Sequence, residues 1–483
     1  MSTLTDKVAR GAAFNVVAAG VRIGSALLVL PILARFLEPR DFGIVQMGMP
    51  FVLLLMFFGD MGISPALVRA ENPSRALWSS AFWTTVGLSV SLAILQCLSA
   101  PLIADFFGEP ELVSILYALA AILIVQSFGI MHYSWLQRAL RFRTIAIIDI
   151  ASHVAGMIVA IYTGLQGAGA WALVYQQVTL YVAKTTGLLL AGRPPIGFIY
   201  DFSEIRKILR FSLAVVGTQV VNFVGTNADT LLIGRFLGAT PLGYYSLALR
   251  LIIVPIQTFS SSLTGILLPA LAQAQNQPER FKAASLKLLR TVTFITFPLM
   301  AGIAAMSEPI IEVLLGQRMA AVAPLASVLA LVGAIRSVAG VHGAILMALG
   351  RSDVMFRWAV INNVGIVIAV SIGVQWGLMG VCVSILVVSL MITGPANHVL
   401  ATLIGASLWE LFQTLVGNLI NAIGMGLVVY SANLALADIG FSDLERLLLC
   451  CPLGVVVYAG GALLFQREAS QSFVEMIRRA IMI

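Results

Sequence analysis

The chain has 483 residues, of which 59% are apolar and only 11% are charged, and its formal net charge is +7. Soluble domains usually carry about a quarter charged residues, so this composition excludes a soluble globular protein. A mean hydropathy of +0.98 and long uncharged runs instead predict a polytopic membrane protein. The basic pI of about 9.4 indicates contact with anionic lipid head groups, and we expect no nucleic-acid partner.

The apolar segments predict transmembrane α-helices, because they run for about 20 residues without the polar alternation of barrel strands. An all-α membrane protein with about fourteen transmembrane helices is therefore expected, the last two having the least defined ends. The predicted spans are 11–33, 44–66, 78–100, 112–134, 144–165, 168–190, 211–233, 243–268, 286–306, 322–347, 357–376, 378–400, 410–436 and 446–466.

Basic residues are distributed unevenly between the two sides of the predicted bundle, which orients the chain by the positive-inside rule. With the N-terminus inside, the predicted cytoplasmic segments hold twenty Lys and Arg residues and the external loops hold five. We therefore expect a multi-pass membrane protein with both termini in the cytoplasm. Lys7 and Arg10 precede an apolar stretch too long for a signal-peptide core, so the first span is expected to stay in the membrane.

Several chemical motifs are missing from the sequence. The four cysteines, Cys97, Cys382, Cys450 and Cys451, show no metal-site spacing, and we interpret them as packing residues. The chain also has no Walker motif, which argues against an intrinsic ATPase. We therefore expect no metal and no bound cofactor.

One short sequence word occurs twice. "ARFLEPRDFG" at 34–43 and "GRFLGATPLG" at 234–243 share Arg, Phe, Leu and Gly at an offset of 200 positions. Later segments also match after small insertions: "SAPLIADFFG" corresponds to "SEPIIEVLLG", and His132 corresponds to His342. Six predicted spans map onto six, as in transporters whose duplicated halves enclose the substrate site. The two words lie at predicted external turns, which we expect them to cap and tighten.

The duplication predicts two pseudo-symmetric lobes of six helices. An even number of spans per half means that both halves enter the membrane in the same direction, so an axis along the membrane normal should relate them. Between the lobes, two prolines break the helix, and Asp201 followed by Glu204 resembles a helix capping box. The predicted divisions are an N-lobe at 1–192, a cytoplasmic linker and amphipathic segment at 193–207, a C-lobe at 208–403, and two extra spans with a cytoplasmic tail at 404–483.

The arrangement of motifs resembles a known transporter superfamily. The "ARFLEPRDFG" word follows the first span, "FGDMGISPALVR" ends the second, and "LQRALRFR" lies between the fourth and fifth. With two lobes and two extra helices, the chain is similar to the polysaccharide-export, Wzx-type and colanic-acid-exporter-like branch of the multidrug/oligosaccharidyl-lipid/polysaccharide (MOP) flippase superfamily. It departs from that pattern at Glu38, which occupies the usual small-residue position.

The resemblance implies a function and a set of partners. It implies a flippase of MATE-like fold that moves undecaprenyl-diphosphate-linked oligosaccharide repeat units from the cytoplasmic to the periplasmic leaflet by alternating access. Such units serve exopolysaccharide, capsule or lipopolysaccharide biosynthesis. The expected partners are this lipid-linked glycan, membrane lipids, and a polysaccharide polymerase with its co-polymerase, while an H⁺ or Na⁺ gradient would drive the cycle. We expect the two-lobed chain to act as a monomer.

Charged residues inside predicted spans mark the candidate substrate site, because an intramembrane charge is costly unless it is functional or paired. A diphosphate carries about two negative charges, which requires cations and hydrogen-bond donors inside the bundle. Several of these residues lack a basic twin in the other half, which suggests an asymmetric ligand. The predicted cationic cavity comprises Arg22, Arg250, Arg336, Lys184, Asn15, Asn222 and Gln257.

Structural roles compete with this interpretation. Arg22 could pair with Asp229 or another acid, Arg250 could be paired similarly, and Lys184 could extend to the membrane interface. Asp149 and Asp229 are the candidate sites of ion coupling. Asp60 is expected to cap the turn that follows it.

Two other functions remain possible from the sequence. A multidrug antiporter of the same superfamily would prefer cationic drugs and an acidic cavity, which the intramembrane basic residues disfavour. A polysaccharide polymerase or ligase normally needs a sizeable external loop with catalytic side chains, whereas the predicted external connections here are short. We therefore expect a transporter without enzymatic activity.

Overall fold

A computed structural model describes residues 31–465, together with their side chains except those of 207–222, 224, 258–270, 272, 273 and 465. Within this described part, all regular secondary structure is helical, which confirms the all-α prediction. The chain packs as two compact units, Met1–Gly243 and Tyr244–Ile483.

The described helices follow one another with short connections. Residues 31–34 are helical and lead into the first repeated word. Two single-turn 3₁₀ helices lie at Gln317–Met319 and Val374–Trp376. The α-helices are α1 (Pro39–Asp60), α2 (Ile63–Arg69), α3 (Arg75–Phe107), α4 (Glu111–Arg138), α5 (Phe142–Leu165), α6 (Ala170–Ala191), α7 (Phe202–Leu237), α8 (Ala239–Ala274), α9 (Pro278–Ala305), α10 (Ser307–Leu315), α11 (Val322–Ala348), α12 (Ser352–Gly373), α13 (Gly377–Ile404), α14 (Leu408–Asp438) and α15 (Asp443–Phe465).

Ten segments of the described residues are long and apolar enough to cross a membrane. One of them, Ser352–Ile404, contains both α12 and α13. The chain is therefore a multi-pass membrane protein, and the count of fourteen spans stays a prediction. The fourth predicted span, 112–134, corresponds to α4, and the twelfth, 378–400, corresponds to α13.

The first repeated word contains the signals that start α1. Glu38 is the N-cap residue, and its backbone N–H donates to Asp41 Oδ2 at 2.8 Å in a capping box. Pro39 occupies the first helical position, where its fixed φ suits a helix and its missing N–H costs nothing. The word therefore caps a helix, as predicted for this turn.

The glycines of the two words meet in space, within the first compact unit. A Cβ atom on Gly43 would overlap the carbonyl group of Ala239, and a Cβ atom on Gly243 would overlap the carbonyl group of Pro39. Only glycine allows the first turns of α1 and α8 to approach this closely. Arg235 has a separate role, because its Nη1 donates to the Phe106 carbonyl at 2.6 Å.

The segment before α7 is attached to α3 by hydrogen bonds. Gly197 N donates to Ser79 Oγ at 2.8 Å, and Asp201 N donates to Ser80 Oγ at 2.7 Å. Asp201 is the N-cap of α7, and its side chain accepts from Ser203 N. The predicted helix start at Asp201 is thus confirmed, although the observed side-chain bond reaches Ser203.

In the second unit, the last two helices pack against α9. Asn418 Nδ2 of α14 donates to the Arg290 carbonyl at 2.9 Å, and Tyr458 OH of α15 donates to the Phe294 carbonyl at 2.9 Å. Both bonds join side chains to backbone carbonyls deep in apolar surroundings, where an unpaired polar group would be costly. These contacts attach α14 and α15 to the second unit.

Candidate functional site

The first unit contains a cavity of about 280 Å³ between α1, α4 and α6. Asp60 enters it from α1, Gln126 and Tyr133 from α4, and Tyr181 and Lys184 from α6. These polar side chains line one cavity, and two of its three helices, α1 and α4, belong to segments that are long and apolar enough to cross a membrane. A polar cavity of this size is able to hold water or a charged group.

Lys184 and Asp149 form an ion pair at this cavity. Lys184 Nζ lies 2.7 Å from Asp149 Oδ1, with side-chain exposures of 31% and 24%. The two charges are in contact, but their geometry falls short of an aligned hydrogen bond. Lys184 Nζ also lies 5.8 Å from the centre of the Tyr133 ring, within the range of a cation–π contact. The structure therefore brings a predicted substrate-binding residue, Lys184, into contact with a predicted ion-coupling residue, Asp149.

Asp60 has the structural role that the sequence predicts and also contributes to the cavity. Its Oδ1 accepts from Ser64 N at 3.2 Å, across the break between α1 and α2. Met61 and Gly62 adopt left-handed conformations at that break. The carboxylate thus stabilises the turn and adds negative charge beside Lys184 in the lining of the same cavity.

The second unit contains two adjoining cavities between α11, α12 and α13. The smaller has a volume of about 60 Å³ and is lined by Arg336, Asn362, Ser389 and Thr393, among others. The larger has a volume of about 220 Å³ and is lined mainly by apolar side chains, including Trp358. Both cavities share five lining residues, Ala339, His342, Asn362, Ile392 and Ala396.

Arg336 is a half-buried cation without an acidic partner in the part of the chain that the structure describes. The stretch 258–273 of α8, whose side chains lie mostly outside the description, contains no Asp or Glu in its sequence. By contrast, Arg351 at the turn before α12 forms a bidentate ion pair with Asp353, with both N–O distances at 3.0 Å. That pair raises the pKa of Arg351 above its usual value. Among the described residues, Arg336 has no such neutralising group.

The predicted polar stripe of α8 is partly described. Ser246 is buried, whereas the side chains of Arg250 and Gln257 are exposed. Residues 239–257 form a candidate membrane span, so Arg250 is a charged side chain exposed on a transmembrane helix.

Asp229 of α7 is buried and held by local contacts. Its Oδ1 accepts from Thr230 N at 2.8 Å and from Thr230 Oγ1 at 3.5 Å. Asp229 also has a further partner beyond these contacts. An ion-coupling role for this carboxylate stays a prediction.

Sequence comparisons place the chain in a family. Residues 32–324, more than half of the chain, match the family described as "Polysaccharide biosynthesis protein". The chain belongs to this family. It is 29% identical to the succinoglycan biosynthesis transport protein ExoT of Rhizobium meliloti (strain 1021), over 76% of this chain and 74% of that protein. It is 26% identical to the lipopolysaccharide biosynthesis protein WzxC of Escherichia coli (strain K12), over 88% and 89%.

The fold of this polysaccharide biosynthesis protein is shared with solved transporter structures. The lipid II flippase MurJ, in its inward closed conformation, superposes with a TM-score of 0.76 and 17% identity, covering 94% of this chain and 99% of that one. An inward-facing multidrug resistance MATE transporter of the MOP superfamily superposes with a TM-score of 0.61 and 16% identity, covering 80% and 98%. The predicted MOP-type helical fold is thereby confirmed.

The structure does not describe the side chains of three residues that are predicted to bind the substrate. Arg22 and Asn15 lie outside the described residues, and Asn222 lies in α7 without a described side chain. Their assignment to the cationic cavity stays a prediction. Of the remaining candidates, Lys184 and Asp149 come together, while Arg336 lines a separate cavity in the second unit.

Sequence reasoning missed several polar and aromatic residues around Arg336. The sequence alone does not distinguish Ser389, Thr393 and Asn362 from other polar residues of their spans, or Trp358 from the apolar residues around it. A signal was nevertheless available. Extending the repeat comparison at an offset of 209 pairs Lys184 with Thr393 and Asp149 with Trp358. This register shows where the two halves differ in charge.

Proposed function

We propose that the chain is a flippase that moves undecaprenyl-diphosphate-linked oligosaccharide repeat units from the cytoplasmic to the periplasmic leaflet of the bacterial inner membrane. Its family supports this proposal, and so do the names of relatives that act in succinoglycan transport and lipopolysaccharide biosynthesis. The flippase name of its structural neighbour supports it as well. The translocated units would feed exopolysaccharide, capsule or lipopolysaccharide assembly.

The observation that carries the proposal is Arg336, a cation inside a membrane-spanning helix with no acidic partner among the described residues. An ion in the interior costs several kcal/mol of free energy, and attraction to a counter-charge offsets that cost. A chain that keeps such a cation uncompensated is suited to an anionic ligand that arrives and leaves. Lipid-linked oligosaccharides are anionic ligands of this kind, through their diphosphate or through acidic sugars, whereas cationic drugs are not.

Arg250 supports the same conclusion. A guanidinium facing hydrocarbon would be strongly unfavourable, so an exposed Arg on a membrane-spanning helix is expected to face a polar space. Gln257 is also exposed and lies two helical turns further along α8. We place both side chains along the path of the diphosphate and glycan, together with Arg22, Asn15 and Asn222.

The proposed cycle is alternating access driven by an H⁺ or Na⁺ gradient. The charged and sugar-bearing part of the cargo would cross inside the protein, while the polyprenyl tail stays in lipid beside α14 and α15. Asp229 and Asp149 are the proposed coupling carboxylates. Asp149 would have to release Lys184 before it could bind a coupling ion.

The test is reconstitution of the purified full chain in liposomes with labelled undecaprenyl-diphosphate-linked oligosaccharide. We expect movement of the labelled lipid between leaflets that an imposed H⁺ or Na⁺ gradient accelerates. Arg250→Ala and Arg336→Ala should each reduce the rate at least tenfold, because the loss of one charge-assisted contact costs about 1.5–3 kcal/mol.

Arg40→Ala is the matched control for these substitutions. Arg40 contacts Glu109 at 2.6 Å and Glu111 at 3.1 Å at the start of α1, outside the proposed cargo path, so its loss should change the rate less than twofold. If both Arg250→Ala and Arg336→Ala leave the rate unchanged, the cationic site is wrong. Drug efflux without lipid movement would support a multidrug antiporter, and sugar transfer would support an enzyme.

A further inference from the structure

The internal duplication allows each cavity residue to be compared with its counterpart in the other half. The words "GLQ" at 164–166 and "GVQ" at 373–375 set an offset of 209 positions that relates α5 and α6 of the first half to α12 and α13 of the second. Gly156 and Gly365 obey this offset, and a Cβ atom on either would crowd the next helix. The comparison therefore rests on equivalent packing as well as on sequence.

In the first unit, the interior cation has its own counter-ion. Lys184 on α6 contacts Asp149 on α5 at 2.7 Å, and Gln126 on α4 is neutral. The carboxylate of Asp60 lines the same cavity. This cavity is thus neutral or negative overall and has no need of an external anion.

In the second unit, the same three positions carry a different charge pattern. Arg336 replaces Gln126 at the offset of 210 that relates His132 to His342. At the offset of 209, Thr393 replaces Lys184 and Trp358 replaces Asp149. The cation has moved to another helix, and the acid has been exchanged for an aromatic ring. No acidic residue occurs among the described residues that line the two cavities of this unit.

The linings supply further hydrogen-bonding groups that point to a ligand. His342 is 8% exposed, its Nε2 has no hydrogen-bond partner within the described structure, and it lines both cavities. The Thr393 hydroxyl donates to the Ser389 carbonyl at 2.7 Å, so its oxygen is held in a fixed position. A buried polar atom left unpaired is costly unless a ligand or water completes it.

The sizes of the cavities limit the ligand. A water molecule needs about 10–15 Å³ of such volume, so the 60 Å³ cavity at Arg336 has room for one small charged group and not for a sugar ring. The adjoining 220 Å³ cavity is several times larger and presents Trp358 beside apolar side chains. Aromatic rings offer flat apolar surfaces of the kind that sugar rings can cover.

We propose that these two cavities form a subsite for an acidic sugar of the cargo, with the carboxylate at Arg336 and the sugar ring against Trp358. The proposal rests on the proposed flippase function and names the chemical class of repeat unit: one that carries a uronic acid. Arg336 binds the carboxylate through charge-assisted hydrogen bonds, and Asn362 and His342 lie where the two cavities meet. The subsite belongs to the second unit, since the first unit neutralises its own cation.

Chemical protection of Arg336 tests the subsite without requiring transport. The full chain in lipid nanodiscs is treated with phenylglyoxal, and modification of Arg336 is followed by mass spectrometry. We expect 50–100 mM glucuronate (roughly the range for a weak ligand) to slow the modification at least threefold and the same glucose concentration to leave it unchanged. Protection by pyrophosphate but not by glucuronate would overturn the proposal in favour of a phosphate site, and protection by neither would overturn it altogether.

A second test places a carboxylate beside Arg336 by substitution. Asn362→Asp changes one atom of a residue that lines the Arg336 cavity, so its carboxylate should pair with Arg336. We expect this variant to slow modification of Arg336 without ligand and to abolish the effect of glucuronate. Asn363→Asp is the matched control, because Asn363 lines neither cavity, and its glucuronate protection should equal that of the unsubstituted chain. Equal behaviour of both variants would contradict the proposed site.

Transport separates this proposal from the flippase function. In liposomes, the ratio of flipping rates for a uronic-acid-bearing and a neutral repeat unit should fall at least tenfold in Trp358→Asp or Arg336→Gln. An unchanged ratio with active transport would reject the subsite and keep the flippase. No transport of either lipid, with glucuronate protection intact, would reject the flippase and keep an acidic-sugar site.

Discussion

At the scale of single residues, the contact between Lys184 and Asp149 changes the interpretation of both. The sequence assigns one to the cargo and the other to ion coupling, because neither residue alone shows its partner. The structure brings them to 2.7 Å from neighbouring helices. An ion pair inside a membrane protein costs less than two separate charges, which explains how α5 and α6 both tolerate a charge.

Removing one member of this pair should destabilise the protein. Asp149→Asn leaves Lys184 uncompensated, and we expect the free energy of unfolding to fall by about 1–2 kcal/mol, less than for a fully buried pair because both side chains are partly exposed. Adding Lys184→Met to the same chain should recover most of the lost free energy of unfolding, because it removes the uncompensated charge. A double-mutant cycle on thermal unfolding in detergent measures the coupling, and additive effects of the two substitutions would show that the pair contributes nothing.

At the scale of helices, the positions of most long helices could be predicted from apolar length, but their ends could not. The fourth predicted span, 112–134, lies inside α4 (Glu111–Arg138), and the third, 78–100, lies inside α3 (Arg75–Phe107). The helices exceed the predicted spans because the backbone continues into the interface, where polar residues are tolerated and hydropathy gives no signal. The break between α1 and α2 was not predictable, since it depends on the left-handed conformations of Met61 and Gly62.

The close approach of α1 and α8 should be sensitive to a single methyl group. Gly43→Ala would place a Cβ atom against the Ala239 carbonyl, and we expect about 2 kcal/mol of destabilisation. Gly87→Ala is the control, because its Cβ would meet no atom within 4 Å, and in a helix it should be neutral or slightly stabilising. The apparent Tm of each purified variant measures the difference. Equal Tm values would contradict the proposed contact.

The attachment of the segment before α7 to α3 can be tested by proteolysis. Phe198 is 95% exposed and offers a chymotrypsin site beside the bond from Asp201 N to the buried Ser80 hydroxyl. Ser80→Ala removes that acceptor at a cost of about 1 kcal/mol, so cleavage should accelerate about fivefold. Ser91→Ala, which removes only a bond to the Gly87 carbonyl of its own helix, should leave the rate unchanged. Similar rates for both variants would argue against the attachment.

At the scale of the whole molecule, the duplication is a scaffold on which charge is distributed unequally. The sequence alone reveals the duplicated helices and singles out Arg336 as a residue without a basic twin. It does not reveal that the described residues lining the Arg336 cavity include no acid, or that Lys184 contacts the carboxylate of Asp149. Both facts depend on neighbouring helices. Composition, the length of the apolar runs and the internal repeat thus predict a duplicated helical membrane protein, whereas the candidate site requires tertiary contacts.

Moving the unpaired charge to the other half should not preserve function. In the double variant Gln126→Arg with Arg336→Gln, the new guanidinium enters a cavity lined by Asp60 and beside Asp149, whose carboxylates would neutralise it. We expect flipping of the labelled lipid in liposomes to stay as low as in Arg336→Gln alone. Recovery to more than half of the unsubstituted rate would show that the position of the charge is unimportant.

The contact between the two repeated words has a consequence for the ancestry of the chain. Gly43 meets Ala239 while Gly243 meets Pro39, and these residues correspond pairwise at the offset of 200 positions. Each word therefore presents the same surface to the other, which is the isologous arrangement of a twofold homodimer. An unfused ancestor with a single copy of the six helices would have had a self-complementary surface at this glycine, and gene fusion would have converted its dimer interface into an internal contact.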